Sequence, residues 1–386
     1  VANTTPNPDP LDVVKPIHNA MSEEELTAVL KRYPDAGLFR RRISNSGRPY
    51  SAGTLMETTE GRFFLKKQSR GFRRREDILW RHTVIDHLVR RGFPTPPLLA
   101  NDEGSSLTEL GQAHYELFAA APGEDRYREL HSWMPFDRVA HARAAGEMLA
   151  QFHAVTQDFP LAGATPLGHS PGTSMSARFD LAFAPDIIVA LGERIAASPT
   201  LSQFFSQRRW KEELSLVYPQ LHRDVYPYLA GIEPAVTHGD WHANNMFYHG
   251  DGVASVIDFH LADVSFRAYD IAVALDRNAI QWLDILAGDT DAVRFDVLEC
   301  LLRGYTAVSP LSLHEAELLT ALLPIHQLDL ALSNVEYYLA QEGKPERAEW
   351  AYSVYLRDHA RYFLTSPGKR VLAFVRSTAG DRSPAP

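Results

Sequence analysis

"HGDWHANNMFYHGDGVASVIDFHLAD" gathers His238, Asp240, His242, Asn245, Asp258, His260 and Asp263 into one short window. These are residue types that hold metal ions and move protons. Two chemistries use such a set. A cage of histidines and aspartates holds metal ions that activate water for hydrolysis. Alternatively, carboxylates and an amide serve phosphoryl transfer, which needs a base near the attacking hydroxyl, a metal on the phosphates and a cation on the phosphate oxygens.

The spacing favours the second. "NMFYH" and "VASVI" flank His249-Gly250-Asp251-Gly252, a strong turn signal. With Tyr248 opposite Val253, Asn245 falls opposite Val256, and the hairpin returns Asp258 toward Asn245 and Asp240. Oxygen ligands that include an amide suit Mg2+ better than zinc, and two protein ligands completed by water and phosphate is the usual way Mg2+ is held. Asp240, in the loop before Asn245, is placed to accept the acceptor's proton.

Other elements must supply the rest. "GTLMETT" and "GRFFLKKQ" read as strands joined at Glu60-Gly61. They put Lys66 on one face of a small sheet and Lys67 on the other. Ser22 to Glu25 reads as a capping box opening a short helix. A helical pattern runs from about Arg74 to Arg91 and stops at Gly92 and Pro94. Strands follow around "SSLTEL" and "HYELFAA", and "APGED" breaks the pattern. Beyond it, Asp137 to Val155, Asp186 to Tyr228 and Asp276 to Phe363 read as mostly helical. The expected fold class is α+β: a small antiparallel-sheet lobe that covers a nucleotide, residues 19–119, and a larger helical lobe, residues 120–375. Residues 1–18 are expected as a loose arm and 376–386 as a flexible tail. Glu116, Leu117 and Phe118, with Ala119, would form the hinge against the nucleotide.

Bulk properties exclude several classes. A net charge of -9 gives no global signal for nucleic acid. One cysteine, Cys300, excludes an intrachain disulfide framework. No uninterrupted apolar run reaches the length of a membrane span. The opening residues lack the pattern of a signal peptide. The cytoplasm is therefore the expected compartment, with no nucleic-acid or membrane partner.

"HGDWHANN", followed by "VIDF" and "YDIA", closely resembles the aminoglycoside phosphotransferase and choline kinase superfamily, small-molecule kinases with a protein-kinase-like fold. "RFFLKK", "HLVRRGFPTPPLL" and "LAQFH" are similar to its small-lobe strand, post-helix stretch and large-lobe helix. The resemblance implies Asp240 as catalytic base, Asn245 and Asp258 as Mg2+ ligands, and Lys66 on the phosphates of ATP or GTP. It implies Asp270 as the anchor of the catalytic loop and Ser44 to Gly47, with Ser46 and Gly47 at its tip, as the loop over the phosphates. The family's helix also carries a Glu that pairs with the lysine. Aligning on "HLVRRG" puts Arg81 or His82 there instead, which leaves Glu76 as the nearest acid. The implied partners are a nucleoside triphosphate and a small hydroxylated acceptor, such as an aminoglycoside, a sugar, choline or homoserine. Later helices of the large lobe line the acceptor pocket by the same resemblance. Here they carry Glu336, Tyr337, Tyr338, Glu342, Glu346, Glu349 and Trp350, acids among aromatics that would suit a cationic amine.

Three other readings compete. A metallohydrolase built on His238, Asp240, His242, Asp258 and His260 leaves Lys66 and Asn245 without a role. A degenerate kinase that only binds nucleotide fits the missing helix acid but not the retained base and metal ligands. A protein kinase lacks a peptide-docking segment here. His238 and His242 read as histidines that hold the loop, and Glu76 reads equally well as a solvated acid at a helix start.

Overall fold

The computed structural model describes residues 20–46, 51–130, 132–161 and 178–380. The chain divides into two compact units: 1–123 together with 255–260, and 124–254 together with 261–386.

The first unit is built on a five-stranded antiparallel sheet. Its strands are β1 (Phe39–Ser46), β2 (Ala52–Thr58), β3 (Arg62–Ser69), β4 (Thr108–Leu110) and β5 (Ala113–Ala119), in the order β1-β2-β3-β5-β4. Helix α1 (Glu23–Leu30) is capped by Ser22, whose Oγ accepts from the Glu25 amide at 3.1 Å. α1 buries Leu26, Val29 and Leu30 against Phe63, Leu65, Tyr115 and Leu117 of the sheet. Alternation along a strand then sends Lys66, Gln68 and Glu116 to the opposite face. Lys67, on the α1 face, pairs with Glu25 at 2.6 Å. Helix α2 (Arg75–Arg90) buries Ile78, His82, Ile85 and Leu88. The segment after it reaches residues 255–260 through a bond from the Val256 amide to the Pro94 carbonyl, 2.8 Å.

The second unit is mainly helical. It carries α3 (Val139–Thr156), α4 (Ile187–Ala196), α5 (Pro199–Ser206), α6 (Trp210–Ser215), α7 (Tyr218–Val225), α8 (Arg267–Ala279), α9 (Trp282–Leu286), α10 (Phe295–Val308), α11 (Leu313–Leu322), α12 (Leu328–Ala340), α13 (Pro345–Trp350), α14 (His359–Tyr362) and α15 (Ser366–Gly380). A π-helical stretch, Ala351–Asp358, links α13 to α14. β6 (Ala235–Thr237) pairs with β9 (Asp263–Ser265), and β7 (Met246–His249) pairs with β8 (Gly252–Val256), whose last two residues fall in the first unit. α3 and α10 cross at glycines: a Cβ on Gly146 would run into the Leu301 carbonyl, and one on Gly304 into that of Arg143. This close approach holds α3 against α10.

Several expectations change. Arg376 to Gly380 are helical, the end of α15, rather than the start of a tail; the apolar spacing of Val371 and Val375, both buried, carries the helix on. Ser44 to Ser46 belong to β1, where Ser46 pairs with Gly53, so they are strand rather than loop. Gly47 and the expected arm, residues 1–18, lie outside the described residues. No helix among the described residues is long and apolar enough to cross a membrane.

Candidate active site

In the first unit, Lys66 Nζ lies 2.6 Å from Asp258 Oδ1. His260 Nδ1 is also 2.6 Å from that oxygen. Burial alone would raise the Asp258 carboxyl. The charges of His260 and Lys66 beside it win, and hold it well below the usual carboxylate range. Asp258 has φ 66°, the one non-glycine residue with positive φ among the described residues. A side chain kept in the left-handed region costs energy, and such strain clusters at functional sites. Burial lowers the His260 pKa against the pull of Asp258, and its Nε2 is buried with no partner among the described residues.

Lys66 stands opposite Glu116 in the β3–β5 register. Glu116 is buried and spends one bond on each oxygen: His82 Nε2 at 2.8 Å from Oε1 and Gln68 Nε2 at 2.8 Å from Oε2. His82 Nδ1 is 2.7 Å from Ser106 Oγ. A carboxylate accepts only, so Nε2–H donates to Glu116 and the serine hydroxyl can satisfy Nδ1. Burial would raise Glu116, but His82 and then Lys66 keep it ionised, with its pKa below the ordinary value.

Two of the expected site groups lie at this face. Glu76 is exposed in the first turn of α2, and the ion pair that Lys66 makes goes to Asp258. The helix turns its buried face to the sheet more than a turn later, where His82 stands. Glu116, Leu117 and Phe118 are residues of β5. β3 takes one edge, while Leu117 O accepts from Leu99 N at 2.8 Å and Ala119 N donates to Pro97 O at 3.0 Å on the other.

In the second unit, α8 holds the 238–245 loop. Asp270, fully buried in its first turn, accepts from the amides of His238 at 2.7 Å and Gly239 at 2.8 Å. Gly239 has φ 75°, which bends the chain so that both amides face one carboxylate. His153 of α3 adds a third contact to Asp270 at 3.3 Å. Two turns along α8, Asn278 accepts from the Ala243 amide at 2.9 Å and donates to the Trp241 carbonyl at 2.9 Å. Trp241 Nε1 donates to the Ala145 carbonyl of α3 at 3.2 Å.

The loop presents Asp240 with both oxygens engaged. Oδ1 accepts from Arg277 Nη1 at 2.9 Å. Oδ2 accepts from Asn245 Nδ2 at 3.2 Å and lies 3.3 Å from His242 Nε2. Asn245 Nδ2 also donates to the Asp240 carbonyl at 3.0 Å, so its amide oxygen is turned away from Asp240. Arg277 Nη2 donates to the Ser132 carbonyl at 3.3 Å, and its Nε is buried without an acceptor among the described residues. The π-helical stretch brings Tyr355 near enough to feel the charges of Arg277 and Asp240. Tyr355 packs edge-on against Trp350 and Trp133, which stack at 5.0 Å.

Three of the acids of the later helices are engaged within the protein, and Glu346 is exposed. Glu336 pairs with Arg194 at 2.7 Å, Tyr337 donates to Glu342 at 2.6 Å, and Glu349 pairs with Arg208. Nor do the window's histidines form a cage. Among the described residues the three-member group with ligand atoms within 4.8 Å is Asp276, His326 and His359, outside the window. Its carboxylate is already supplied by Trp282 Nε1 at 3.2 Å, His359 Nε2 at 2.9 Å and Gln327 Nε2 at 2.7 Å, which closes it as a hydrogen-bonded cluster.

The profile of the phosphotransferase enzyme family (APH) matches residues 52–311. The chain belongs to this family. It is a phosphotransferase, a small-molecule kinase with an α+β, kinase-like fold. A homoserine kinase of Brucella ovis is 26% identical over 311 residues, 79% of this chain and 82% of that one. A microcompartment-associated aminopropanol kinase superposes with a TM-score of 0.60 at 17% identity, covering 90% of this chain and 99% of that one. The aminoglycoside phosphotransferase APH(4)-Ia, in a complex with AMP-PNP and hygromycin B, gives 0.52 at 16% identity, with 92% and 99% covered. These two structural likenesses bear on the fold alone.

Arg277, Asn278 and His82 are absent from the sequence-derived site. The helical period offered a signal for the first two: counting two turns from Asp270 along "YDIAVALDRN" reaches the same face of α8.

Proposed function

We propose that this phosphotransferase moves the γ-phosphoryl group of ATP or GTP onto the hydroxyl of a small amino acid or amino alcohol, with homoserine the first candidate. Asp240 orients the acceptor hydroxyl and takes its proton as the new O–P bond forms. Lys66 neutralises phosphate oxygens. Asn245 and Asp258 are the residues that would hold a divalent cation. The donor set fits one: a strongly ionised carboxylate on which an ammonium and an imidazole N–H already rest, and an amide whose oxygen is turned away from Asp240. Hard oxygen donors of this kind suit Mg2+. Bound there, it supplies charge neutralisation on the phosphates.

The observation that carries the acceptor class is the Asp240–Arg277 pair. A guanidinium beside the base, with Nε still lacking an acceptor, suits a substrate that brings a carboxylate. It opposes a polycationic one. The pairing of Glu336 with Arg194 and of Glu349 with Arg208 also weakens the anionic lining that a polycation would need. The homoserine kinase likeness supports the same acceptor.

The test is a panel of homoserine, aminopropanol, choline and hygromycin B, offered with Mg-ATP and with Mg-GTP and read by product mass. Phosphohomoserine is expected. Asp240→Asn is expected to lower its formation by about a thousandfold. Turnover confined to hygromycin B, or an Asp240→Asn enzyme within tenfold of wild type, would overturn the reading.

A further inference from the structure

Among the described residues, the carboxylate at hydrogen-bond distance from Lys66 is Asp258. Under the function proposed above, on which this inference rests, Asp258 turns its oxygens to a cation when nucleotide binds. A buried ammonium left without a counter-charge would then be costly, and free to point away from the phosphates. The face that holds Lys66 offers a second acid. Glu116 is its cross-strand partner, and opposed residues on one face of an antiparallel pair have Cβ atoms about 5 Å apart. Each Glu116 oxygen takes one N–H, from His82 or from Gln68. A carboxylate has about four lone-pair sites, so both oxygens keep capacity for the lysine. The charge of Lys66 favours this carboxylate's ionised form, and that of Asp258 opposes it.

We propose that Glu116 of β5, rather than an acid of helix α2, positions Lys66, and that the lysine passes from Asp258 to Glu116 as Asp258 takes up the metal–nucleotide. His82 occupies the helix position from which an acid was expected. It acts one step back, as the clamp that aims Glu116, with Gln68 as the second clamp. Glu116 and His82 are positioning residues: they touch neither phosphate nor acceptor. The α2 helix still sets the lysine, but through an imidazole and a strand carboxylate.

The experiment compares Glu116→Gln, His82→Gln and the double variant Glu116→Gln/His82→Glu, which moves the acid back to the helix. Steady-state kinetics with saturating acceptor and calorimetric titration of Mg-AMP-PNP are both read, with circular dichroism confirming folding. Glu116→Gln is expected to weaken Mg-AMP-PNP binding about tenfold and to lower kcat about tenfold, with the acceptor KM unchanged. His82→Gln, which keeps the charge but frees it, is expected to lose about threefold. The double variant is expected to recover most of the loss. Folded Glu116→Gln protein with binding and kcat within twofold of wild type would overturn the proposal. So would a double variant no better than Glu116→Gln. If Glu116→Gln does not fold, His82→Gln carries the test, and nucleotide affinity and kcat equal to wild type there would overturn it. Failure of the base assignment shows separately, as Asp240→Asn that still transfers phosphate while these nucleotide affinities shift as stated.

Discussion

Replacing Asp270 by Asn separates the scaffold of the catalytic loop from its chemistry. The two side chains have nearly the same shape, and the site is fully buried. Asp270 accepts the His238 amide on Oδ2 and the Gly239 amide on Oδ1. Hydrogen bonds to a charged group contribute roughly 1.5–3 kcal/mol each. Asn keeps one acceptor and turns an N–H2 group toward the other amide, so one bond is lost and a buried donor faces a donor. The expected cost is about 3 kcal/mol of stability. At roughly 2–4 °C per kcal/mol for a unit of this size, Tm falls by about 6–12 °C. Urea unfolding followed by circular dichroism reads this cost. Asp240, by contrast, sits on the loop rather than under it. Asp240→Asn keeps an acceptor for Arg277 and gives up the longer 3.2 Å bond from Asn245 Nδ2, so it is expected to cost about 1.5 kcal/mol, half as much, while losing turnover. Asp270→Asn should therefore lose stability and about a hundredfold in kcat together, through a displaced base. An Asp270→Asn protein whose unfolding midpoint matches wild type would refute the anchoring argument. So would an Asp240→Asn protein as destabilised as Asp270→Asn.

Arg277→Met removes the bond to Asp240 Oδ1 and the tie to the Ser132 carbonyl. It is expected to lower kcat about tenfold or more and to raise the KM of a carboxylate-bearing acceptor, with Arg277→Lys a poor rescue because the planar fork is lost; an unchanged KM for homoserine would contradict the acceptor assignment. Burial, followed by the charge of Asp180, pushes Asp329 up to about 8. A pKa raised on folding gives stability that is complete below the unfolded value near 4 and is lost as pH rises through 8. Asp329 is partly exposed, so the loss is on the order of 2 kcal/mol after solvent screening. Asp329→Asn, which keeps an acceptor for the Asp180 and Leu181 amides, should therefore equal wild type at pH 4 and exceed it at pH 9 in urea titrations; a gap of the same size at both would sink this. Burial drives His326 down to about 4, which works the other way: the unfolded chain protonates first, and stability falls as pH drops from about 6.5 toward 4. His326→Gln should remove that part of the acid slope, and an unaltered slope would count against it. Gly146→Ala sets a methyl against the Leu301 carbonyl backbone, with an expected cost of about 3 kcal/mol or failure to fold in an expression and unfolding test.

What the sequence made legible follows from how each residue is placed. Lys66 could be found because strand alternation assigns faces without knowledge of the neighbours, and its separation from Lys67 in the structure is that alternation. The 238–258 stretch could be read because a turn of four residues brings its two halves together locally, and β7 pairs with β8 as the spacing requires. Glu76 misled for a related reason. An acid in the first turn of a helix is favoured by the helix dipole whatever its function, so the local signal imitates a catalytic one. The acids of α12 and α13 misled because Arg194 and Arg208, which neutralise Glu336 and Glu349, are remote in sequence.

The acid opposite Lys66 was beyond reach for a more general reason. Its identity depends on the β3–β5 register and on which turn of α2 meets the sheet, both set by packing across a long separation in the chain. A shift of one residue in that register would turn Glu116 to the α1 side and bring Tyr115 or Leu117 opposite the lysine. The alternation of Tyr115, Glu116 and Leu117 within "HYELFAA" separates the acid from the apolar pair, but does not say which of the two faces meets α1. The burial of Tyr115 and Leu117 against α1 does: two apolar side chains on one face force the acid between them onto the other. The hydrophobic core of the first unit thereby selects the partner of the lysine.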